Sequence, residues 1–147
     1  MLEIYSKAPD PEIETHDGYT GPLSHYWQDG PLILFFYPKD DTPVCTKQAC
    51  SMQSSLAEFA NAKAKVLGAN NGTVEAHKAF AEKNGIEFPL IADHRGELAK
   101  AFGAFRSLLR IPKRVTYVIG RQGTILARHH NELRVQPHLE MIEKNLG

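Results

Sequence analysis

The stretch Leu32-Ile33-Leu34-Phe35-Phe36-Tyr37-Pro38-Lys39-Asp40-Asp41-Thr42-Pro43-Val44-Cys45-Thr46-Lys47-Gln48-Ala49-Cys50 changes character at Pro38. Its first six residues are an unbroken apolar run between Pro31 and Pro38. That length and aromatic content predict a strand buried on both faces rather than a helix. Beyond the polar segment, Cys45, Ala49, Met52, Leu56 and Phe59 step by four, three, four and three. This is one face of an α-helix. Thr42 can cap that helix, and Pro43 suits its first position. A buried strand running straight into a helix is the signature of an α/β chain, and a cysteine stands just past the junction.

The alternation continues outward from this stretch. Residues 65–69 read as a second strand, Asn70-Asn71-Gly72 as a turn, and residues 73–84 as a helix ended by Gly85. Residues 88–92 form a third short strand, and 96–102 a short helix stopped by Gly103. Residues 115–119 and 124–128 flank Gly120-Arg121-Gln122-Gly123, a hairpin signal. Pro137 opens a last helix on which Leu139, Ile142 and Leu146 keep helical spacing. The first thirty residues, rich in Pro, Gly, Asp and His, read as a loop-rich lead-in with weak strand signals. No composition break or internal repeat divides the chain, so a single domain over 1–147 is expected. The expected class is α/β, a mixed central sheet with helices on both faces. The element order fits a thioredoxin-like architecture with an inserted strand and helix, although periodicity alone does not select it over other α/β sandwiches.

Composition narrows the function classes. The 147 residues carry 17 Lys+Arg and 17 Asp+Glu, a formal charge of zero. That balance argues against a nucleic-acid or acidic-membrane binder working by bulk electrostatics. The longest apolar run is six residues, where a membrane span needs about 20. The first fifteen residues contain no signal-peptide core. The expected compartment is the cytoplasm, where thiols stay reduced and a close cysteine pair is more often catalytic or metal-binding than structural. Two cysteines supply neither a disulfide scaffold nor a four-thiolate cage. Seven histidines show no metal-ligand spacing, and scattered surface histidines are expected. No metal or cofactor is expected.

Cys45 falls in the first turn of its helix, where unpaired N–H groups and the helix dipole favour an anion. For a cysteine that anion is the thiolate, the nucleophilic form. Asp40 and Asp41 would oppose it if their carboxylates pointed inward, so a cation from elsewhere would help. Cys50 stands five residues on. In an intact helix the two Cα atoms are about 8.7 Å apart, on faces about 140° apart. A disulfide needs less than about 6.8 Å. Either the two cysteines never pair, or pairing unwinds the helix.

The segment resembles the peroxiredoxin active-site motif Pro-x-x-x-Thr-x-x-Cys, matched by Pro38, Thr42 and Cys45. Arg114-Val115-Thr116-Tyr117-Val118-Ile119 resembles the family's Arg-bearing strand, and residues 75–83 and 88–90 its middle region. The Cys-x4-Cys spacing is similar to that of the peroxiredoxin Q, or bacterioferritin comigratory protein, subgroup. The resemblance implies a thiol-dependent peroxidase acting on hydrogen peroxide or organic hydroperoxides. It gives Cys45 as the peroxidatic cysteine, Cys50 as the resolving cysteine, Thr42 as a hydrogen-bond donor to thiolate and peroxide, Pro38 as a shield, and Arg114 as the missing cation. The implied partner is a thioredoxin-like reductant, and the implied state a monomer with a dimer as the alternative. Three stretches depart from the subgroup. Val44 stands where Gly is usual before the cysteine, and Gly120 where Asp is common. Residues 68–72 replace a more usual Ser- and Asp-bearing segment. Two alternatives stand beside it: a thioredoxin-like disulfide oxidoreductase, whose usual Cys-x-x-Cys is absent, and a non-enzymatic redox-sensing module.

Overall fold

The apolar run becomes the central strand of a mixed five-stranded sheet in the computed structural model, which describes residues 1–146. The chain begins with a hairpin of β1 (Glu12–Glu14) and β2 (Thr20–Pro22), then a 3-10 helix at Leu23–Trp27. β3 (Leu32–Phe36) follows, then α1 (Pro43–Ser54), α2 (Leu56–Asn61), β4 (Lys65–Asn70), α3 (Val74–Asn84) and β5 (Leu90–Ala92). Next come α4 (Glu97–Ala101) and a small hairpin of β6 (Phe105–Arg106) and β7 (Ile111–Pro112). β8 (Val115–Ile119), β9 (Ile125–His130) and α5 (Gln136–Leu146) complete the described chain.

The sheet order is β5-β4-β3-β8-β9, with β3, β4 and β5 parallel and β8 and β9 antiparallel. Every residue of β3 is inaccessible to solvent, as a strand covered on both faces requires. Ile33, Phe35 and Tyr37 face a core shared with Cys45, Ala49 and Met52 of α1, Phe59 of α2, Phe80 of α3 and Ile142 of α5. Leu32, Leu34 and Phe36 face the other core, with Leu23, Trp27, Leu98 and Phe102. Helices therefore cover both faces, and the arrangement is thioredoxin-like.

Two expectations are corrected. The helical face drawn from Cys45 to Phe59 is not one helix. It breaks at Ser55, whose φ of −94° and ψ of 0° leave the helical region. Adjacent serines favour such a break, and the Ser54 hydroxyl donates back to the Cys50 carbonyl at 3.0 Å. The lead-in holds more order than a loop: it pairs β1 with β2 and buries Ile13, Leu23 and Trp27. Strands of three residues are too short to show a period.

The histidines also depart from expectation, because His77 and His138 are fully buried. His138 of α5 hydrogen-bonds through Nδ1 to the Thr116 hydroxyl, at 2.9 Å, and through Nε2 to the Asn131 carbonyl, at 3.0 Å. This ties the last helix to β8. Burial pushes its pKa from 6.5 down to about 4, against a smaller upward pull from the Asn131 carbonyl. Between those values the unfolded chain binds a proton that the folded protein refuses. The stability contribution is therefore complete above about pH 6.5 and falls by about 3 kcal/mol as pH drops toward 4. Urea unfolding at pH 7 and pH 4.5 checks this: His138→Gln should show a shallower acid loss than the parent, and equal slopes would contradict it.

Candidate active site

The Pro38-to-Cys45 segment links the C-terminal end of β3 to the first turn of α1, the end of an α/β sheet where ligands bind. Pro43 takes the first helical position and Thr42 the cap position, so Cys45 is the third residue of the helix. Thr42 does not cap with its side chain, contrary to expectation. Its hydroxyl donates to the Lys39 carbonyl at 2.9 Å, closing the loop on itself. Pro43 has no N–H to offer. The next two N–H groups, of Val44 and Cys45, lie among the four that a helix leaves without internal partners.

The antiparallel register sets Val115 opposite Phe36. Arg114, one residue earlier, therefore emerges beside the carboxyl end of β3, level with the start of α1. Its guanidinium is almost fully buried, with 4% of the residue exposed. Nη2 donates to Cys45 Sγ at 3.2 Å, Nη1 to Gln48 Oε1 at 2.7 Å and Nε to the Glu132 carbonyl at 2.9 Å. The guanidinium forms no ion pair with a carboxylate among the described residues. Its charge is thus available to the sulfur.

Other groups hold this arrangement. Glu132 accepts from the Arg114 backbone N–H at 3.1 Å, from Arg106 Nη2 at 3.0 Å and from His130 Nε2 at 2.6 Å. Burial acts to raise the Glu132 pKa, but these hydrogen bonds outweigh it and hold the carboxylate below its ordinary range. Gln48, three residues after Cys45 on the same helix face, orients the guanidinium. Its Nε2 is buried with no hydrogen-bond partner among the described residues. Asp40 does not point at the cysteine unopposed: its carboxylate accepts from the Tyr37 hydroxyl at 2.6 Å and Asn70 Nδ2 at 3.2 Å, and meets His77 Nδ1 at 2.6 Å.

Cys45 is fully buried and Cys50 half-buried, both as free thiols within α1. Pro38 is half-buried at the start of the loop, and Val44 half-buried between Pro43 and Cys45. Gly120 lies in the β8–β9 turn, where its N–H donates to the Thr124 carbonyl. The structure thus brings Cys45 and Arg114 into contact. It places Thr42 and Pro38 on the adjoining loop and keeps Cys50 along the helix. Sequence reasoning missed Gln48, Glu132, Tyr37, Asn70 and His77. Gln48 carried a usable signal, the three-residue spacing from Cys45. Glu132 and His77 meet their partners only through sheet register and helix packing.

No helix among the described residues is long and apolar enough to cross a membrane. The AhpC/TSA family profile matches residues 4–128. Chloroplastic peroxiredoxin Q of Triticum aestivum is 34% identical over 135 residues, 91% of this chain and 62% of the wheat protein. This chain therefore spans less than two thirds of that relative. Peroxiredoxin Bcp of Bacillus subtilis is 33% identical over 144 residues, covering 94% of this chain and 90% of its own. The crystal structure of peroxidoxin BcpB from Mycobacterium tuberculosis superposes with a TM-score of 0.92 at 32% identity, covering 99% of this chain and 97% of that one. With a buried cysteine at a helix start and an arginine donating to its sulfur, the chain belongs to the AhpC/TSA family and stands within it beside the peroxiredoxin Q and Bcp proteins.

Proposed function

We propose that this protein is a thiol-dependent peroxidase that reduces hydrogen peroxide or organic hydroperoxides. The observation that carries the reading is the 3.2 Å donation from Arg114 Nη2 to Cys45 Sγ at a helix N-terminus. Two fixed sources of positive potential converge there on one sulfur, whose nucleophilic form is the thiolate anion. The Cys45 thiolate attacks one peroxide oxygen and the O–O bond breaks. The departing oxygen takes a proton and leaves as water or an alcohol, and Cys45 becomes a sulfenic acid. Arg114 stabilises the charge developing on the departing oxygen. The Thr42 hydroxyl turns from Lys39 to the peroxide, and Pro38 limits water at the site.

Cys50 then attacks the sulfenic sulfur, the S–S bond forms and water leaves. A thioredoxin-like dithiol supplies two electrons and restores both thiols. Because α1 holds both cysteines, residues 46–52 must unwind for this second step. The break at Ser55 bounds the disturbance, since α2 begins its own hydrogen bonding with the Phe59 N–H on the Ser55 carbonyl. Hydrogen exchange should therefore show lost protection over residues 46–52 after oxidation, with residues 59–61 unchanged. Equal protection in both forms, with the disulfide confirmed, would count against this step. The reaction itself is tested by mass spectrometry after one equivalent of peroxide. The expected result is loss of two hydrogen masses mapped to Cys45 and Cys50. Unmodified cysteines would overturn the proposal.

A further inference from the structure

His77 lies behind the loop that leads to Cys45, and its ring sits between two acceptors. Nδ1 is 2.6 Å from Asp40 Oδ2 and Nε2 is 3.0 Å from the Ile91 carbonyl. A backbone carbonyl has no proton to give, so Nε2 must donate. The Asp40 carboxylate already accepts from the Tyr37 hydroxyl and Asn70 Nδ2, so its oxygens serve as acceptors here. Nδ1 therefore donates as well. A ring donating at both nitrogens is an imidazolium, and its charge cancels that of Asp40.

The surroundings support this assignment. The Tyr37 hydroxyl stays a neutral donor, since burial and then the Asp40 charge push its pKa well above the ordinary range. Tyr37 packs in the same core as Cys45 while its hydroxyl donates to Asp40 at 2.6 Å, so carboxylate and thiol share one neighbourhood. His16, from the segment before β2, is the other imidazole nearby. Its Nδ1 accepts the Leu90 N–H at 2.9 Å, and burial lowers its pKa, so it brings no competing charge. Lys78, on the same helix as His77, is exposed, and Asp41 is drawn outward to Lys83 at 3.5 Å. Asp41 also has a φ of +63°, a conformation that a non-glycine residue holds only when its neighbours fix it. Asp40, anchored by three donors, is that fixed neighbour. The ring fits closely, for a Cβ added at Gly72 would come within 3.1 Å of His77 Cε1.

We infer that Asp40 and His77 form a buried, net-neutral positioning pair, which fixes the 38–42 loop and prevents the Asp40 charge from opposing the Cys45 thiolate. The inference rests on the peroxidase reading above. Neither residue touches the reacting atoms; the pair acts through the loop and through charge.

The test uses stopped-flow rate constants with hydrogen peroxide for the parent, His77→Gln and the Asp40→Asn/His77→Gln double variant, at pH 6 and pH 8.5. His77→Gln leaves an unpaired carboxylate beside the site. It should slow the reaction about tenfold at pH 6, where less thiolate forms, and less than about threefold at pH 8.5. The double variant removes that carboxylate and should recover most of the pH 6 rate, which a purely structural role does not predict. Long-range 1H–15N spectra at pH 7 provide a reading independent of activity. Both His77 nitrogens should carry protons in the parent, and the ring should become neutral in Asp40→Asn. Equal pH 6 rates for His77→Gln and the parent would overturn the inference, as would a double variant as slow as the single one. A neutral His77 in the parent would do the same, even if His77→Gln fails to fold. A parent that leaves peroxide untouched would instead refute the peroxidase reading, while the spectra still judge the pair.

Discussion

Cys45→Ser should cut the rate of peroxide consumption by at least about 10³-fold, the largest effect expected of any single substitution. The hydroxyl occupies less space than the thiol and still accepts from Arg114, so the fold and the buried contacts persist. What is lost is ionisation. A serine at a helix N-terminus, even beside a guanidinium, does not reach the anionic form near neutral pH. Cys50→Ser separates the two halves of the proposed cycle. Its Cys45 should still react with one equivalent of peroxide at close to the parent rate, because the Arg114 side chain donates to Cys45, Gln48 and Glu132 and not to Cys50. The product should then remain a sulfenic acid that a carbon-acid trap labels, and turnover with a dithiol protein should fail. Stopped-flow thiol loss checks the first step and trapping the second. Undiminished peroxide consumption by Cys45→Ser would overturn the assignment of the nucleophile.

The parts of this site that were legible in the sequence are those that local rules determine. β3 was readable because a six-residue apolar run between two prolines leaves few alternatives. Cys45 was readable as a first-turn residue because Thr42-Pro43 marks a helix start, and the observed helix begins at Pro43. The capping role expected of the Thr42 side chain did not follow from position, since its hydroxyl found the Lys39 carbonyl instead of a helical N–H. Arg114 entered through a motif rather than through geometry. Its contact with Cys45 spans 69 residues and exists only because β8 pairs antiparallel to β3 with Val115 opposite Phe36. His77 illustrates the opposite failure. One of seven histidines on an otherwise ordinary amphipathic helix, it looked like surface, yet it lies on the Phe80–Ala81 side and is fully buried. Burial of an imidazole requires partners, and those come from β5 and from the loop after β3. No periodicity in α3 encodes them.

Arg114→Met is the second substitution with a large expected effect, a fall of about 10²–10³-fold in the second-order rate constant with peroxide. Four interactions disappear together. The sulfur loses its donor at 3.2 Å, and the departing oxygen loses the charge that would stabilise it. The Gln48 side chain and the Glu132 carbonyl each lose a partner inside the protein. The last two losses are structural, at about 1–3 kcal/mol for each acceptor left unsatisfied. A slower reaction would thus be consistent with a loosened site as well as with a missing charge. Arg114→Lys separates the two. It keeps the charge, but one ammonium cannot span the Glu132 carbonyl, Gln48 and Cys45 at once. If charge at the sulfur dominates, Lys should recover at least about tenfold of the Met loss and show a steeper fall in rate with added salt. If the three-point anchoring dominates, Lys should be as slow as Met, with both variants unfolding at lower urea than the parent. Because the guanidinium is buried, fixed at all three nitrogens and free of any carboxylate partner among the described residues, charge delivered at a fixed position is the expected determinant. The partial Lys recovery is therefore the result to look for.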